Sequence, residues 1–333
     1  MLEPRARSTI LARGDPVLSH ALTLTDVSKR YRTVTAVDGL SFRVAKQEIF
    51  ALLGPNGAGK TTTVRMIQGI LAPDDGRVEF GIDGTRGHCR PNLGYLPEDR
   101  GLYRDQPIER ILQFFGRLRG MTKADARRET ETWLDRFELG DRKREKLETL
   151  SKGNQQKVQF AAAILHRPAL AVLDEPFSGL DPVNQDVFLD LLEELRDGGM
   201  TILLSAHQMD LVERCADRLL IIGNGRRLLE GTVDELRARR SGGTRLRVSL
   251  ENGPPPLADD DPSVAAVTAR ADGSYDVEAR AGVELSDLLA VVSRWPGLRD
   301  VASEQQRLHE IYVDVVAEAG GGEDDASSVE PSP

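Results

Sequence analysis

A glycine-rich segment at positions 54–62, Gly-Pro-Asn-Gly-Ala-Gly-Lys-Thr-Thr, is the feature that most constrains how this chain can fold. An apolar run at 49–53 precedes the segment, and a helical pattern at 64–71 follows it. In this strand–loop–helix setting, glycines let backbone N–H groups converge on one concavity, and the helix adds the positive end of its dipole, so the segment binds phosphate. Lys60 is expected to reach the outer phosphates of a nucleotide, and the Thr61 hydroxyl to ligate Mg²⁺. The alternative is a chance match of the pattern, and the flanking strand and helix argue against it.

The composition is that of an ordinary globular protein. The chain has 333 residues, enough for two domains, of which 40% are hydrophobic and 29% charged. A net charge of −9 gives no sign of a nucleic-acid-binding surface over the whole chain. No apolar run approaches the roughly 20 residues that cross a bilayer, and no signal-peptide pattern is visible. We therefore expect a cytoplasmic protein in which Cys89 and Cys215 are reduced thiols.

Two adjacent carboxylates follow a second apolar run, at 170–173. A buried strand is an unusual place for charge, because buried charges need a partner, and a metal-bound phosphate supplies one. Asp174 is expected to hold Mg²⁺, directly or through water, and Glu175 to polarise an attacking water molecule. A solvated pair at a strand end is the alternative, and the upstream phosphate-binding segment argues against it.

Other positions carry weaker signals. Tyr31 follows a predicted strand, where it is equally consistent with stacking on a nucleobase and with a half-buried strand-end tyrosine. Ser151 and Gly153 at a predicted helix start fit an anion site, although serine is also simply a good N-cap. His207 follows an apolar run at 201–204. A lone histidine is more often structural, but the carboxyl edge of a parallel sheet is where ligands bind.

Composition changes divide the chain into segments. We expect a flexible tail at 1–20, an α/β domain at 21–240 with a helical insertion at about 99–152, and a disordered acidic tail at 318–333. Between them, a shift at Ser-Gly-Gly begins a small α/β accessory domain at 241–317. This last segment contains predicted strands and a helix but no phosphate-binding segment.

In this order, the motifs closely resemble those of the ATP-binding subunit of ABC transporters, over about residues 20–236. The resemblance implies a RecA-like P-loop ATPase core with an antiparallel β subdomain and a helical insertion. It also implies adenine stacking for Tyr31, the Q-loop position for Glu98, the general base for Glu175 and the switch histidine for His207. The residues then expected to contact nucleotide are Tyr31, Val37, Gly54, Pro55, Asn56, Gly57, Ala58, Gly59, Lys60, Thr61, Thr62, Ser151, Lys152, Gly153, Asn154 and Asp181, and those expected to hold the metal are Thr61, Glu98 and Asp174.

The chain departs from the usual family pattern at two places. Lys152 and Asn154 replace glycine and glutamine in the signature motif, while Ser151 and Gly153 are kept. Glu98 stands where a glutamine is usual. Both variants resemble a branch containing sodium-extrusion and antibiotic-resistance exporters, whose members often carry a C-terminal extension, and a closing helix is accordingly expected at 308–317.

The resemblance further implies a mechanism with ATP and Mg²⁺ as cofactors. Two copies would form a head-to-tail homodimer, each ATP lying between the Lys60 loop of one chain and the Ser151 loop of the other. Separate polytopic membrane subunits would carry the transported molecule, which leaves this chain peripheral on the inner face of the membrane. A soluble ABC-type ATPase acting on ribosomes or nucleic acid is the competing interpretation, and a purely regulatory subunit is a third.

Overall fold

The computed structural model describes residues 20–82, 93–99, 101–240, 245–251, 261–280, 282–303 and 307–321, which form two compact units. One unit comprises the described residues up to Phe50 with Gly57–Ser205 and Asn224–Arg226, and the other comprises Ala51–Asn56, Ala206–Gly223 and the described residues from Arg227 onward. The strands are β1 (His20–Arg30), β2 (Thr35–Ala45), β3 (Ile49–Leu53), β4 (Asp75–Phe80), β5 (Leu93–Leu96), β6 (Leu170–Asp174), β7 (Thr201–Ala206), β8 (Arg218–Gly223), β9 (Arg226–Gly231), β10 (Arg245–Leu250), β11 (Val264–Ala269), β12 (Tyr275–Ala279) and β13 (Leu298–Ser303). The helices are α1 (Lys60–Ile67), α2 (Ile108–Leu118), α3 (Lys123–Arg136), α4 (Lys152–Ile164), α5 (Pro182–Asp197), α6 (Met209–Cys215), α7 (Val233–Arg240), α8 (Leu285–Val292) and α9 (Leu308–Gly321).

A six-stranded sheet with the order β5-β6-β7-β3-β8-β9 forms the centre of the α/β fold. Strands β3, β6 and β7 are buried along their whole length, which is why they are largely apolar in the sequence, with polar residues only at or next to the ends of β6 and β7. The pairs β5–β6 and β6–β7 are parallel, and Asp174 pairs with Ser205 at their carboxyl ends. This register places the predicted metal-binding carboxylate at the edge where such sheets bind ligands.

An antiparallel sheet of order β2-β1-β4 accounts for the β subdomain that the sequence implied. Its third strand was not predicted, since Asp75 and Gly76 suggested only a turn. Both residues instead begin β4, which pairs with β1. Gly76 has φ of +78°, and a Cβ there would lie 2.3 Å from the carbonyl oxygen of Asp26. Glycine is therefore required at this position by the close approach of β1.

Helices α2 and α3 form the helical insertion expected in the first unit. Ile108, Ile111 and Leu112 of α2 are buried, at the spacing of residues on one face of a helix. Phe137, at the end of α3, stacks on Phe188 with ring centroids 5.8 Å apart. The insertion is thus packed through apolar residues on one face of α2 and at the end of α3, whereas Leu118 at the end of α2 is 66% exposed.

The C-terminal part of the second unit contains an antiparallel sheet of order β11-β12-β10-β13. Leu288, Val292 and Trp295 on and after α8 pack with buried residues of this sheet, among them Leu246 and Val277. The described residues of this segment thus contain both strands and helices, while its standing as a separate domain stays a prediction. The closing helix α9 is also present, and it continues to Gly321, past the predicted end at 317.

Several expectations fall outside the described residues. The tail at 1–19, the composition shift at 241–244, the end of the chain at 322–333 and Cys89 belong to this group, so the proposed domain boundaries stay predictions. Within the described part, none of the helices is apolar over a stretch long enough to cross a membrane.

Candidate functional site

The phosphate-binding segment joins the buried strand β3 to helix α1. Gly59 is the N-cap of α1 with φ of +101°, and a Cβ there would lie 2.3 Å from the carbonyl oxygen of Ala36. The cap contributes no side-chain hydrogen bond to the first turn, a local geometry suited to a phosphate ligand. The helix begins four residues earlier than its apolar pattern predicted and stops before Gly69, whose φ is +71°.

Lys60, the first residue of α1, lies in the field of three carboxylates. Burial lowers the pKa of the Lys60 ammonium, and the negative charges of Glu175, Asp174 and Glu98 oppose that shift. The structure therefore brings four of the predicted site residues into one electrostatic environment. Like-signed carboxylates around one lysine are suited to a site that also receives a cation.

Asp174 ends β6 with its carboxylate buried. Burial raises the pKa of Asp174, while a hydrogen bond from the Ser205 hydroxyl to Oδ1 opposes the shift. The other oxygen, Oδ2, is buried and has no hydrogen-bond partner among the described residues. An orphaned carboxylate oxygen that also experiences the negative charge of Glu98 fits Mg²⁺, which takes oxygen ligands from one or two carboxylates.

Glu175 leaves the strand in an unusual backbone conformation. Its φ is +54°, a region that non-glycine residues occupy at a cost of about 1–3 kcal/mol. The Glu175 N–H donates to the carbonyl oxygen of Ser205 at 3.1 Å and also lies 3.3 Å from the Ser205 Oγ. These bonds hold the turn that separates the half-buried Glu175 side chain from the buried run of β6.

Glu98 follows β5 and is exposed. Two buried glutamines of α4, which sequence reasoning missed, contact the segments carrying the two glutamates. Gln159 Nε2 donates to the carbonyl oxygen of Pro97 at 2.8 Å, and Gln156 Nε2 donates to that of Pro176 at 3.0 Å. Polar residues on the apolar face of a predicted helix were the available signal.

The signature segment begins α4. Ser151 is the N-cap, and its Oγ accepts a hydrogen bond from the Asn154 N–H at 3.3 Å. Lys152, Gly153 and Asn154 form the first turn, so the sequence-predicted helix start is confirmed. Asp181 caps α5 in the same way, and the hydrogen bonds from Asn184 lower the pKa of its carboxyl group. Nucleotide contacts by these residues stay predictions.

The remaining nucleotide-contact candidates differ in exposure. Tyr31 is 50% exposed in the turn between β1 and β2, a position open to a stacking partner. Val37 is fully buried, and its Cγ2 lies 3.2 Å from the position of a Cβ on Gly59. Gly54, Pro55, Asn56 and the exposed His207 belong to the second unit.

The β8–β9 hairpin supplies a contact that its Asn-Gly turn did not predict. Gly225 N–H donates to the carbonyl oxygen of Ala58 at 3.1 Å, and the Asp38 N–H donates to the Gly225 oxygen at 2.9 Å. A Cβ on Gly225 would lie 2.8 Å from the Ala36 oxygen. The turn therefore supports the phosphate-binding segment, which only tertiary packing could show.

Comparison with known proteins gives consistent matches. A sequence model described as ABC transporter matches residues 37–178. The uncharacterized ABC transporter ATP-binding protein YhaQ of Bacillus subtilis is 44% identical over 65% of this chain and 72% of that protein. The linearmycin resistance ATP-binding protein LnrL of Bacillus subtilis is 34% identical over 68% of this chain and 73% of that protein. The Nod factor export ATP-binding protein I of Paraburkholderia xenovorans is 37% identical over 72% of this chain and 78% of that protein.

A solved structure described as the ATP-binding subunit of an ABC transporter is 34% identical to this chain, with a TM-score of 0.61. The match covers 66% of this chain and 92% of that one. The likeness confirms the expected RecA-like P-loop fold class.

Proposed function

We propose that this chain, which belongs to the ABC transporter family of ATP-binding proteins, hydrolyses ATP to drive export of a small molecule through separate membrane subunits. The observation that carries the proposal is the buried Asp174 carboxylate, whose Oδ2 has no hydrogen-bond partner among the described residues and whose charge, with those of Glu175 and Glu98, acts on Lys60 of the phosphate-binding segment. Similarity to resistance and export proteins favours export over import. The comparisons give no support to the alternative of a ribosome- or nucleic-acid-directed ATPase.

In the proposed reaction, the segment 54–62 and Lys60 bind the nucleotide phosphates. Thr61, Asp174 and Glu98 would hold Mg²⁺, which when bound neutralises charge on the transferred phosphoryl group. Glu175 orients the attacking water and accepts its proton, since its carboxylate leaves the strand beside Asp174. His207 donates a hydrogen bond to the charged transition state.

We further propose a head-to-tail homodimer. Ser151 and Gly153 at the start of α4 would contact the γ-phosphate bound by the partner subunit, because a helix start offers N–H groups and a positive dipole end. Lys152 adds a positive charge next to them that the usual glycine lacks. Ser151 and Lys152 are exposed at the start of α4, which supports a contact with a partner subunit.

The proposed membrane partner has a candidate docking surface on the helical insertion. Tyr103, Gln106, Arg110, Ile111 and Phe114 line a groove in which the rings of Tyr103 and Phe114 lie 5.8 Å apart, edge to face. Both aromatic side chains are about half exposed. Tyr103 of this groove follows Glu98 by five positions in the sequence. A cytoplasmic segment of the permease bound in the groove would therefore contact the chain close to a residue of the proposed nucleotide site.

Affinity purification of the native complex in mild detergent, followed by mass spectrometry, tests this function. We expect a polytopic membrane protein to be recovered with the wild type and to be lost with the double variant Tyr103→Asp, Phe114→Asp. Leu289→Asp, which adds a charge at an exposed apolar site on α8, is the control and should retain the partner. Recovery of ribosomes or nucleic acid with no membrane protein would contradict the transport assignment while leaving the ATPase activity in place.

A further inference from the structure

Helix α4 carries two glutamine side chains inside the protein. Gln156 is 4% exposed and Gln159 is 3% exposed. Residues three apart lie on the same face of a helix, so both amides are presented to the same neighbouring segments. Neither residue is among those proposed to contact nucleotide or metal.

The Gln159 amide bridges the backbone on both sides of Glu98. Its Nε2 donates to the carbonyl oxygen of Pro97 at 2.8 Å and lies 3.4 Å from that of Asp99. The Oε1 atom of the same amide is buried without a hydrogen-bond partner among the described residues. Burying an unpaired amide oxygen is unfavourable, and an apolar side chain of similar volume would avoid that cost. What the amide contributes is therefore its hold on the two carbonyl groups.

Gln156 makes the corresponding contact with the other glutamate segment. Its Nε2 donates to the carbonyl oxygen of Pro176 at 3.0 Å and lies 3.5 Å from that of Glu175. The same helix thus contacts the backbone beside both glutamates, and it begins at Ser151.

We propose that Gln159 is a positioning residue that fixes the Glu98 segment to α4, so that the placement of α4 sets the direction of the Glu98 carboxylate. The inference rests on the proposed ATPase function. A shift of α4, whose first turn is proposed to meet the partner's nucleotide, then reaches Glu98 through a single buried amide. Glu98 itself is exposed, so its own side-chain packing supplies little restraint.

Gln159→Leu tests the inference, because it removes the donor at nearly constant volume. We expect the affinity for ATP without Mg²⁺ to stay within about twofold of wild type, and the gain in affinity on adding Mg²⁺ to become smaller. We expect kcat to fall about tenfold with little change in KM, which is the size of loss expected for one buried hydrogen bond. Hydrogen exchange at the amides of 98–99 should become faster. Gln68→Leu is the matched control, since Gln68 Nε2 lies 3.4 Å from the Gly94 oxygen, on β5 but away from Glu98.

A double variant separates positioning from general packing. In a Glu98→Ala background, Gln159→Leu should cause no further loss of kcat, because coupled residues are not additive. The inference would be overturned if the losses in kcat of the two single variants multiply in the double variant. It would also be overturned if hydrogen exchange at the amides of 98–99 is unchanged in Gln159→Leu. If Gln159→Leu folds poorly, Gln159→Met gives the same comparison with a more adaptable side chain. Wild-type protein without any ATPase activity would contradict the proposed function, whereas the exchange measurement tests the Gln159 contact independently.

Discussion

The backbone conformations of single residues determine much of this site. Glu175 and Gly59 both have positive φ, the first to turn the chain out of β6 and the second to start α1 under the carbonyl of Ala36. Glycine tolerates such angles freely, whereas glutamate does so at a cost that neighbouring hydrogen bonds must offset. The strained position coincides with the proposed general base.

Two glycines of the phosphate-binding segment give a matched comparison. Gly59→Ala should lower the free energy of unfolding by at least about 2 kcal/mol more than Gly57→Ala. Both substitutions place alanine at a positive φ, but only a Cβ at position 59 would lie 2.3 Å from the carbonyl oxygen of Ala36. No atom lies within 4 Å of a Cβ on Gly57. Urea denaturation without nucleotide measures the difference, and equal losses would show that the loop can shift away from Ala36.

We expect Asp174 to lower the stability of the metal-free protein and to be required for ATP hydrolysis. Asp174→Asn removes a buried carboxylate whose pKa is raised by burial, so we expect the metal-free protein to become more stable by on the order of 1 kcal/mol. Mg²⁺-dependent ATP hydrolysis should fall at least about a hundredfold. Denaturation in the presence of a chelator and a phosphate-release assay measure the two effects. A less stable variant would indicate that the carboxylate gains more from Ser205 than it loses by burial.

The buried position of His166 leads us to expect a loss of folding stability at acidic pH. Burial lowers the pKa of His166 from 6.5 to about 4 in the folded protein, with the charge of Arg119 as a smaller cause. The unfolded chain therefore binds the proton more readily, and stability falls as pH drops from 6.5 to 4, by roughly 3 kcal/mol at about 1.36 kcal/mol per pKa unit. His166→Gln should show a smaller fall in urea titrations at pH 7 and 4.5, while exposed His309→Gln should behave like the wild type. Identical pH profiles for all three proteins would exclude His166 as the cause.

At the scale of elements, one carboxylate links the start of α9 to α6 and α7 within the second unit. Glu213 of α6 pairs with Arg237 of α7, and its Oε2 accepts a hydrogen bond from the Leu308 N–H at the start of α9 at 3.3 Å. Helix α9 contacts α6, α7 and β8. Helix α6, which carries Glu213, starts at Met209, two residues after the proposed switch histidine, His207.

Glu213→Ala should therefore loosen α9 locally. We expect hydrogen exchange in 308–318 to accelerate about tenfold, since a partly buried ion pair and the bond to Leu308 N are lost together. Asp234→Ala is the control, because Asp234 is largely exposed and lies 3.5 Å from the same arginine. If both variants exchange alike, Arg237 rather than Glu213 secures α9.

At the scale of the whole molecule, the proposed dimer depends on bound ATP. The Glu175→Gln variant should bind ATP but hydrolyse it very slowly, because the proposed general base is removed. Since the proposed dimer forms around bound ATP, light scattering should detect a dimer of this variant with ATP and a monomer with ADP. Adding Ser151→Arg should abolish the dimer by placing a bulky charge at the proposed interface. A dimer that persists in the double variant would place the interface elsewhere, and unimpaired turnover in Glu175→Gln would exclude Glu175 as the base.

The sequence determined the family and most of the elements, because those depend on local chemistry. Segment 54–62, the buried runs of β3, β6 and β7, and the Ser151 helix start were all recognisable from residue type and short-range spacing. The apolar patterns of β10, β11, β12 and α8 were equally readable, since period and composition reflect which face is buried. Strand β4 was missed because Asp75 and Gly76 are turn residues by propensity and become strand only through pairing with β1.

Only the tertiary structure decided how distant residues meet. The positive φ of Glu175, the contact of Gly225 with Ala58 and the amide of Gln159 between Pro97 and Asp99 all join positions far apart in the chain or override local preference. No short-range pattern encodes such contacts, because their energy comes from packing and hydrogen bonds that exist only once the sheets have formed. The sequence by itself determined which chemical groups the chain can bring to the site. The tertiary structure determined how the carboxylates of the site are positioned.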